Sequence, residues 1–418
     1  MQRRLTLTLA LILMTTTAHP DWRTDADARI ERLRKSDFTV RVLDAHGQPR
    51  TNITITVRQT RSAFRFGTCI GGNPASTNRN DQLYRQYILD HFNTVVSEND
   101  MKWYTIGKEP DRMNFTPADR LLKFADDHQL AMRGHCLFWS KQKFVQRWVQ
   151  DLSAPELRLA IDRHLEAVVP HYRGRLIAWD VYNEMLDGRY YESRLDDDIA
   201  VHFFRKAHQL DPQVPLFVNE YNIVDSDERT VQYIALIQRL QAAGAVIGGI
   251  GIQEHAAERL TGRQASPDPD HPERANMGPL DPAGMVRRLD QLAALGLPLH
   301  LTEVSFCTLD QQQRADALEI FYRIAYSHPA VEVVMLWGFW EKRHFLKDRA
   351  ALVDADWKNT PAGDRLDQLL LRDWRTTLTG QTDATGTLRF RGFQGTYEIA
   401  GAKAELLPGK TDAVIRLP

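Results

Sequence analysis

Between residues 64 and 371 one rhythm recurs eight times: a short apolar run, then a longer stretch with helical spacing. The short runs are 64–70, 94–97, 131–138, 176–182, 215–218, 247–252, 299–302 and 331–337. Runs this short, apolar throughout and punctuated by Gly, Pro, Asn or Asp, read as strands buried on both faces. That is the signature of a parallel sheet. The stretches 81–92, 117–128, 154–172, 199–209, 227–243, 282–295, 311–327 and 362–371 read as the intervening helices. Parallel strands need crossovers, and such crossovers are right-handed. Eight strand–helix units in one domain close into a (β/α)8 TIM barrel, an α/β fold. A doubly wound sheet would call for a Gly-rich phosphate turn, and the sequence has none.

The two ends of the chain have a different texture. Residues 28–62 carry alternating runs at 38–43 and 53–58 around Asp44-Ala-His-Gly-Gln-Pro, the pattern of a β-hairpin. Residues 379–418 carry further short alternating runs between glycines. A hairpin alone is marginal. Because the first and last strands of a closed barrel are neighbours, the chain ends leave it side by side. Both segments are expected to join as one small accessory β domain beside a catalytic barrel of residues 63–378. Phe393 and Tyr397 are expected in its core.

Residues 1–18 have the layout of a signal peptide: Met1-Gln-Arg-Arg, an apolar run at 5–14, then small residues up to Ala18. The run is too short to span a bilayer comfortably, so a secreted protein, extracellular or periplasmic, is expected, free of the membrane after cleavage. With 53 Lys and Arg against 54 Asp and Glu, nothing draws the chain to nucleic acid or an anionic surface. Cys69, Cys136 and Cys307 show no metal-ligand spacing and sit in apolar runs, so buried free thiols are expected. No metal or other cofactor is called for, and a monomer is expected.

Barrel chemistry sits at the C-terminal ends of the strands. There the sequence places Glu98, Asn99 and Lys102 after the second strand and His135, Trp139 and Gln142 after the third. Asn183 and Glu184 end the fourth, Asn219, Glu220, Tyr221 and Asn222 come at the end of the fifth, Gln253 and His255 of the sixth, Glu303 of the seventh, and Trp337 and Trp340 of the eighth. Taken singly, each has an ordinary structural explanation. Their convergence on one barrel mouth does not, because buried polar groups cost stability unless paired. Two carboxyls among amides and indoles suit hydrolysis of a sugar acetal. One acid protonates the leaving oxygen, and the other stabilises or attacks the anomeric carbon from about 5–5.5 Å when configuration is retained.

At these residues the chain resembles the glycoside hydrolase family 10 endo-β-1,4-xylanases. The resemblance rests on Ser97-Glu-Asn-Asp-Met-Lys-Trp103, Arg133-Gly-His-Cys-Leu-Phe-Trp139, Trp179-Asp-Val-Tyr-Asn-Glu184, Gly251-Ile-Gln-Glu-His255 and Leu301-Thr-Glu303, five motifs in order. It implies a barrel with retaining chemistry, Glu184 as acid/base and Glu303 as nucleophile. Asn183 would hold the 2-hydroxyl of the sugar at the cleavage point. Glu98, Asn99, Lys102, His135, Trp139 and Gln142 match glycone-side contacts, Gln253 and His255 flank the nucleophile, and Trp337 covers the cleaved sugar. Tyr221 and Trp340 complete the expected contacts. Ser305 stands where the family often has an aspartate two residues after the nucleophile, Val96-Ser97 replace the usual Thr-Pro, and the second aromatic expected after Trp337 appears as Phe345. The substrate implied is xylan. Another β-1,4-glycan, transglycosylation, or a barrel that binds without turnover are the alternatives.

Overall fold

The computed structural model describes residues 22–268 and 272–417, and the expected leader lies outside them. The described chain opens with a helix, Trp22–Arg34, then β1 (Lys35–Leu43) and β2 (Thr54–Ser62). Eight strands follow at the expected places: β3 (Arg65–Ile70), β4 (Thr94–Ser97), β5 (Ala131–Trp139), β6 (Ala178–Asn183), β7 (Leu216–Tyr221), β8 (Gly249–Glu254), β9 (Leu299–Val304) and β10 (Val331–Leu336). Each pairs in parallel with the next, and β10 closes on β3 from Val333↔Arg65 to Leu336↔Thr68. The result is a closed eight-stranded barrel. Every residue of β6, β8 and β9 is buried, as continuous apolar runs require.

The intervening helices begin where cap chemistry starts them. The Asp310 carboxylate accepts the N–H of Gln313 at 3.0 Å at the head of Gln311–Ser327. Ser153 and Glu156 form a capping box at the head of Ala154–His171. The helix Trp22–Arg34, which the alternating pattern of 28–62 does not foretell, docks along Gln311–Ser327. Arg23 pairs with Glu319 at 2.7 Å, and Arg34 donates to the Tyr326 and His328 carbonyls at 2.7 and 2.9 Å.

The expected hairpin is not formed. β1 and β2 lie in different sheets, completed by five C-terminal strands: β11 (Thr377–Gln381), β12 (Thr387–Phe393), β13 (Gly395–Ile399), β14 (Ala402–Leu406) and β15 (Asp412–Arg416). One sheet runs β12-β1-β15 and the other β11-β2-β13-β14. Alternation decides which face of a strand is apolar and leaves its partner open; two strands alone could not cover those faces. Phe38, Val40 and Val42 of one sheet meet Ile55, Val57 and Ile399 of the other in a single core. Phe393 and Tyr397 are buried, the latter with its hydroxyl donating to the Phe393 carbonyl. Cys69, Cys136 and Cys307 are buried and free.

At the barrel mouth the sheet extends past the apolar runs. β7, β8 and β9 continue through Tyr221, Glu254 and Val304, so Glu220, Gln253 and Glu303 belong to the backbone ladder. Cross-strand register then lines up Trp139 with Asn183, Asn183 with Asn219, Tyr221 with Gln253, and Gln253 with Glu303. A ring of polar residues is thereby fixed on paired, rigid strands.

Candidate active site

A cavity of about 490 Å³ opens on this ring. Glu184 and Glu303 both line it, and both are largely buried. Glu184 stands one residue past the end of β6 with φ +62°, a left-handed turn that swings its side chain out of the ladder. Its backbone N–H donates to the Asn219 carbonyl at 2.9 Å.

Two asparagines join the carboxylates. The Asn183 amide donates to Glu184 Oε1 at 3.2 Å, and Asn219 Nδ2 donates both to Asn183 Oδ1 at 2.8 Å and to Glu303 Oε1 at 2.9 Å. Gln253 Nε2 also donates to Asn183 Oδ1, at 3.0 Å, and the Thr302 hydroxyl donates to Asn219 Oδ1 at 2.6 Å. Every amide orientation is therefore dictated by a partner. Gly251 leaves room for this cluster: a Cβ there would lie 2.4 Å from Asn219 Oδ1.

Two imidazoles face Glu303. His255 Nε2 lies 3.4 Å from Oε2, and His135 Nε2 lies 3.7 Å from Oε1. Burial works to raise its pKa, but the charge of His135, the hydrogen bond and charge of His255, and the charge of Lys102 outweigh it. The carboxyl is held below the usual range, so it stays ionised. His135 is itself anchored, Nδ1 lying 2.9 Å from Asp180 Oδ2. Asp180 receives both guanidinium nitrogens of Arg133 at 2.8 and 3.0 Å. The serine at 305 does meet the histidine: His255 Nδ1 lies 3.1 Å from its hydroxyl. A neutral hydroxyl thus occupies the place of the charged acid.

The remaining expected contacts divide. Glu98, Asn99, Lys102 and Trp139 line one side of the cavity, with Lys102 Nζ 4.5 Å from the Trp139 ring and 3.4 Å from Asn99 Oδ1. Tyr221, Gln253, His255 and Trp337 line the rest. His135 and Asn183 lie beneath it, fully buried, holding the groups that do line it. Gln142 and Trp340 are not among the lining residues. Gln142 is exposed and donates to Gln150 at 3.0 Å, and Trp340 stacks on Trp357 at 4.4 Å in the core. Phe345 does line the cavity, packing edge-on to His255 at 5.4 Å, and Phe144 stacks on Trp139 at 3.5 Å.

Three groups that carry this geometry are absent from the expected contacts: Lys141, Asn219 and the Arg133–Asp180 pair. The last has a sequence signal, since Arg133 and His135 share one face of β5 at spacing two. Lys141 has none. Among the described residues, no cluster of three or more His, Cys, Asp or Glu is placed to hold a metal ion.

Glu220 lies just below the cavity, accepting the N–H groups of Leu186 at 2.8 Å and Tyr221 at 3.0 Å. Burial pushes its pKa up from 4.5 to about 8 against these two donors, and the charges of Glu184 and Asp187 add to the rise. The folded chain then keeps a proton that the unfolded chain has released. Stability therefore falls as pH rises from about 4.5 to about 8, by an amount on the order of a few kcal/mol. Glu220→Gln is expected to flatten this part of the curve. Urea unfolding at several pH values between about 5 and about 8 measures it, and an unchanged slope assigns the effect to other groups.

The sequence profile of glycosyl hydrolase family 10 matches residues 57–368. The chain is 35% identical over 372 residues to endo-1,4-beta-xylanase 1 of Arabidopsis thaliana, covering 88% of this chain and 36% of that protein. It is 34% identical over 389 residues to anti-sigma-I factor RsgI6 of Acetivibrio thermocellus, covering 93% of this chain and 47% of that one. The chain thus spans less than half the length of these two relatives. Among solved structures, native xylanase 10B of Thermotoga maritima superposes with a TM-score of 0.64 at 26% identity, covering 74% of this chain and 95% of that one. Xylanase 10B of Thermotoga petrophila in complex with xylobiose gives 0.63 at 25% identity, covering 74% and 94%. On the match of most of its length, together with a barrel of the same kind, the chain belongs to glycosyl hydrolase family 10.

Proposed function

We propose that the protein is a secreted endo-β-1,4-xylanase that cleaves internal bonds of xylan with retention of configuration. The observation that carries this reading is the pair of carboxylates joined through Asn183 and Asn219 on one open, aromatic-lined cavity. Relatives named as endo-1,4-beta-xylanases and a similar barrel solved with xylobiose support the substrate. The leader-like residues 1–18 support export.

In this reading Glu184 gives its proton to the glycosidic oxygen as that oxygen's bond to the anomeric carbon breaks. Glu303 Oε forms a bond to the same carbon from the opposite face. Glu184, now a carboxylate, takes a proton from water; the resulting hydroxyl displaces Glu303, and the sugar leaves with its original configuration. The ionised state of Glu303 fits the nucleophile, and the stacked indole and phenyl rings of Trp139 and Phe144 fit sugar faces on the glycone side.

The test is hydrolysis of arabinoxylan, glucuronoxylan, carboxymethylcellulose and mixed-linkage glucan, with products sized and the first-formed anomer read by NMR. Xylans are expected to yield mixed oligosaccharides, with the β-anomer appearing first. An α-anomer appearing first overturns retention, release of single xylose units overturns endo action, and faster attack on a glucan reassigns the substrate. Export predicts a mature N-terminus near residue 19 in the secreted fraction, and an intact Met1 there overturns it.

A further inference from the structure

Lys141 lies in the loop after β5 with its Nζ 2.9 Å from Glu184 Oε2. The same ammonium donates to the Tyr221 hydroxyl at 3.1 Å and stands 4.3 Å from the centre of that ring. The loop that carries it is pinned to Glu184 from both sides. The Ser140 hydroxyl donates to the Glu184 carbonyl, Ser140 N–H donates to the Asn183 carbonyl at 3.1 Å, and the Ser140 carbonyl accepts Tyr190 N–H at 2.9 Å. The fit is so close that a Cβ on Gly188 would fall 1.9 Å from Ser140 Oγ. The root of the lysine is therefore fixed relative to the carboxylate it faces.

We propose that Lys141 is a positioning residue for the proton donor, its ammonium orienting the Glu184 carboxyl and setting the alkaline limit of hydrolysis. The inference rests on Glu184 being the acid/base. The charged and titratable neighbours of Glu184 come from three directions. Lys141 faces it from the loop, Cys136 from β5 and Glu220 from β7, with Tyr221 of β7 held against the Lys141 ammonium. Glu303 is joined to it across the two asparagines and is ionised. Burial, with the Asp187 hydrogen bond, pushes Tyr221 up to about 12; burial takes Glu220 to about 8 and raises the Cys136 thiol. Those three are neutral near pH 6, so among these neighbours Lys141 supplies the positive charge. Burial disfavours that charge, but the carboxylate of Glu184 outweighs it and keeps the ammonium protonated.

A cation this close favours the ionised carboxyl. As the first-step acid, Glu184 must carry a proton, and an ammonium 2.9 Å away opposes that form. In the second step the ionised form is the required base, and the same contact holds it toward the incoming water. One charge thus favours water activation while narrowing the alkaline range of bond cleavage.

The test compares the unaltered enzyme, Lys141→Met and Lys141→Arg on xylohexaose and on 2,4-dinitrophenyl β-xylobioside, whose leaving group departs without a proton. For xylohexaose, Lys141→Met is expected to move the alkaline limb of kcat/KM upward by about one pH unit or more. Lys141→Arg keeps the charge and is expected to retain the original limit. With the aryl xylobioside, any loss of kcat/KM in Lys141→Met is expected to be smaller than the loss with xylohexaose at the same pH. Matching thermal midpoints show that the variants fold. An unchanged limb in active Lys141→Met overturns the inference, as does an equal shift in Lys141→Arg or an equal loss on both substrates. If the unaltered enzyme cleaves neither substrate, the xylanase reading falls and this inference falls with it.

Discussion

Glu303→Gln is expected to cut xylan turnover by about 10⁴-fold or more while leaving affinity for xylohexaose within a few-fold. The amide is nearly the size of the carboxyl, and its carbonyl oxygen can still accept the Asn219 N–H that now reaches Oε1 at 2.9 Å. What it loses is the anionic oxygen that, in the proposed mechanism, bonds to the anomeric carbon. It also loses the charge that faces His135, His255 and Lys102, which together hold the carboxyl ionised despite its burial. The cleft walls, including Trp139, Phe144 and Trp337, are untouched, so binding survives. Steady-state kinetics with calorimetric titration of xylohexaose separates the two effects. Turnover within tenfold of the unaltered enzyme removes Glu303 from the nucleophile's role.

Asp180→Ala is expected to destabilise the fold by about 3–5 kcal/mol. Asp180 is wholly buried and receives a two-pronged hydrogen bond from the equally buried Arg133. Without the carboxylate, the guanidinium keeps His300 Nδ1 at 3.2 Å and the face of Phe217, neither of which neutralises it. Asp180→Asn separates charge from volume: it fills the space and still leaves the cation uncompensated. Burial alone would raise the Asp180 pKa, but Arg133 and the His135 hydrogen bond outweigh it and hold it below 3.8. Its stabilisation is therefore complete above that value and is lost as pH falls through the lower folded-state value. The variant's deficit should be largest near neutral pH and shrink in acid. Urea unfolding at about pH 7 and about pH 3 reads both. A deficit under about 1 kcal/mol at neutral pH shows that Arg133 has found another counter-ion. The same variants free His135 Nδ1, so activity should fall even where the fold persists.

The local pattern of the chain was sufficient for the barrel. Each strand and helix is announced within ten or so residues by its apolar spacing, and a closed ring is what eight such units can form. The ends of the strands were also readable, because Glu184, Glu303, Lys102 and Trp337 appear where an apolar run gives way to polar residues. The expected 311–327 and the observed Gln311–Ser327 coincide because a capping aspartate and a 3.6-residue period are both written locally.

Pairing and side-chain direction depend on the whole molecule. Alternation made β1 and β2 strands, but which strands they joined depended on what apolar faces lay nearby once the barrel had brought the chain ends together. Trp340 and Phe345 follow the same strand, and only the path of their loop turned the indole into the core and the phenyl ring into the cavity. Lys141 gave no signal in sequence, yet it sits 2.9 Å from a carboxylate just past the end of the next strand. Composition and periodicity are properties of neighbours along the chain, so they determined the elements and the polar ring. Contacts between charges are properties of neighbours in space, so only the tertiary structure decided which acid meets which base.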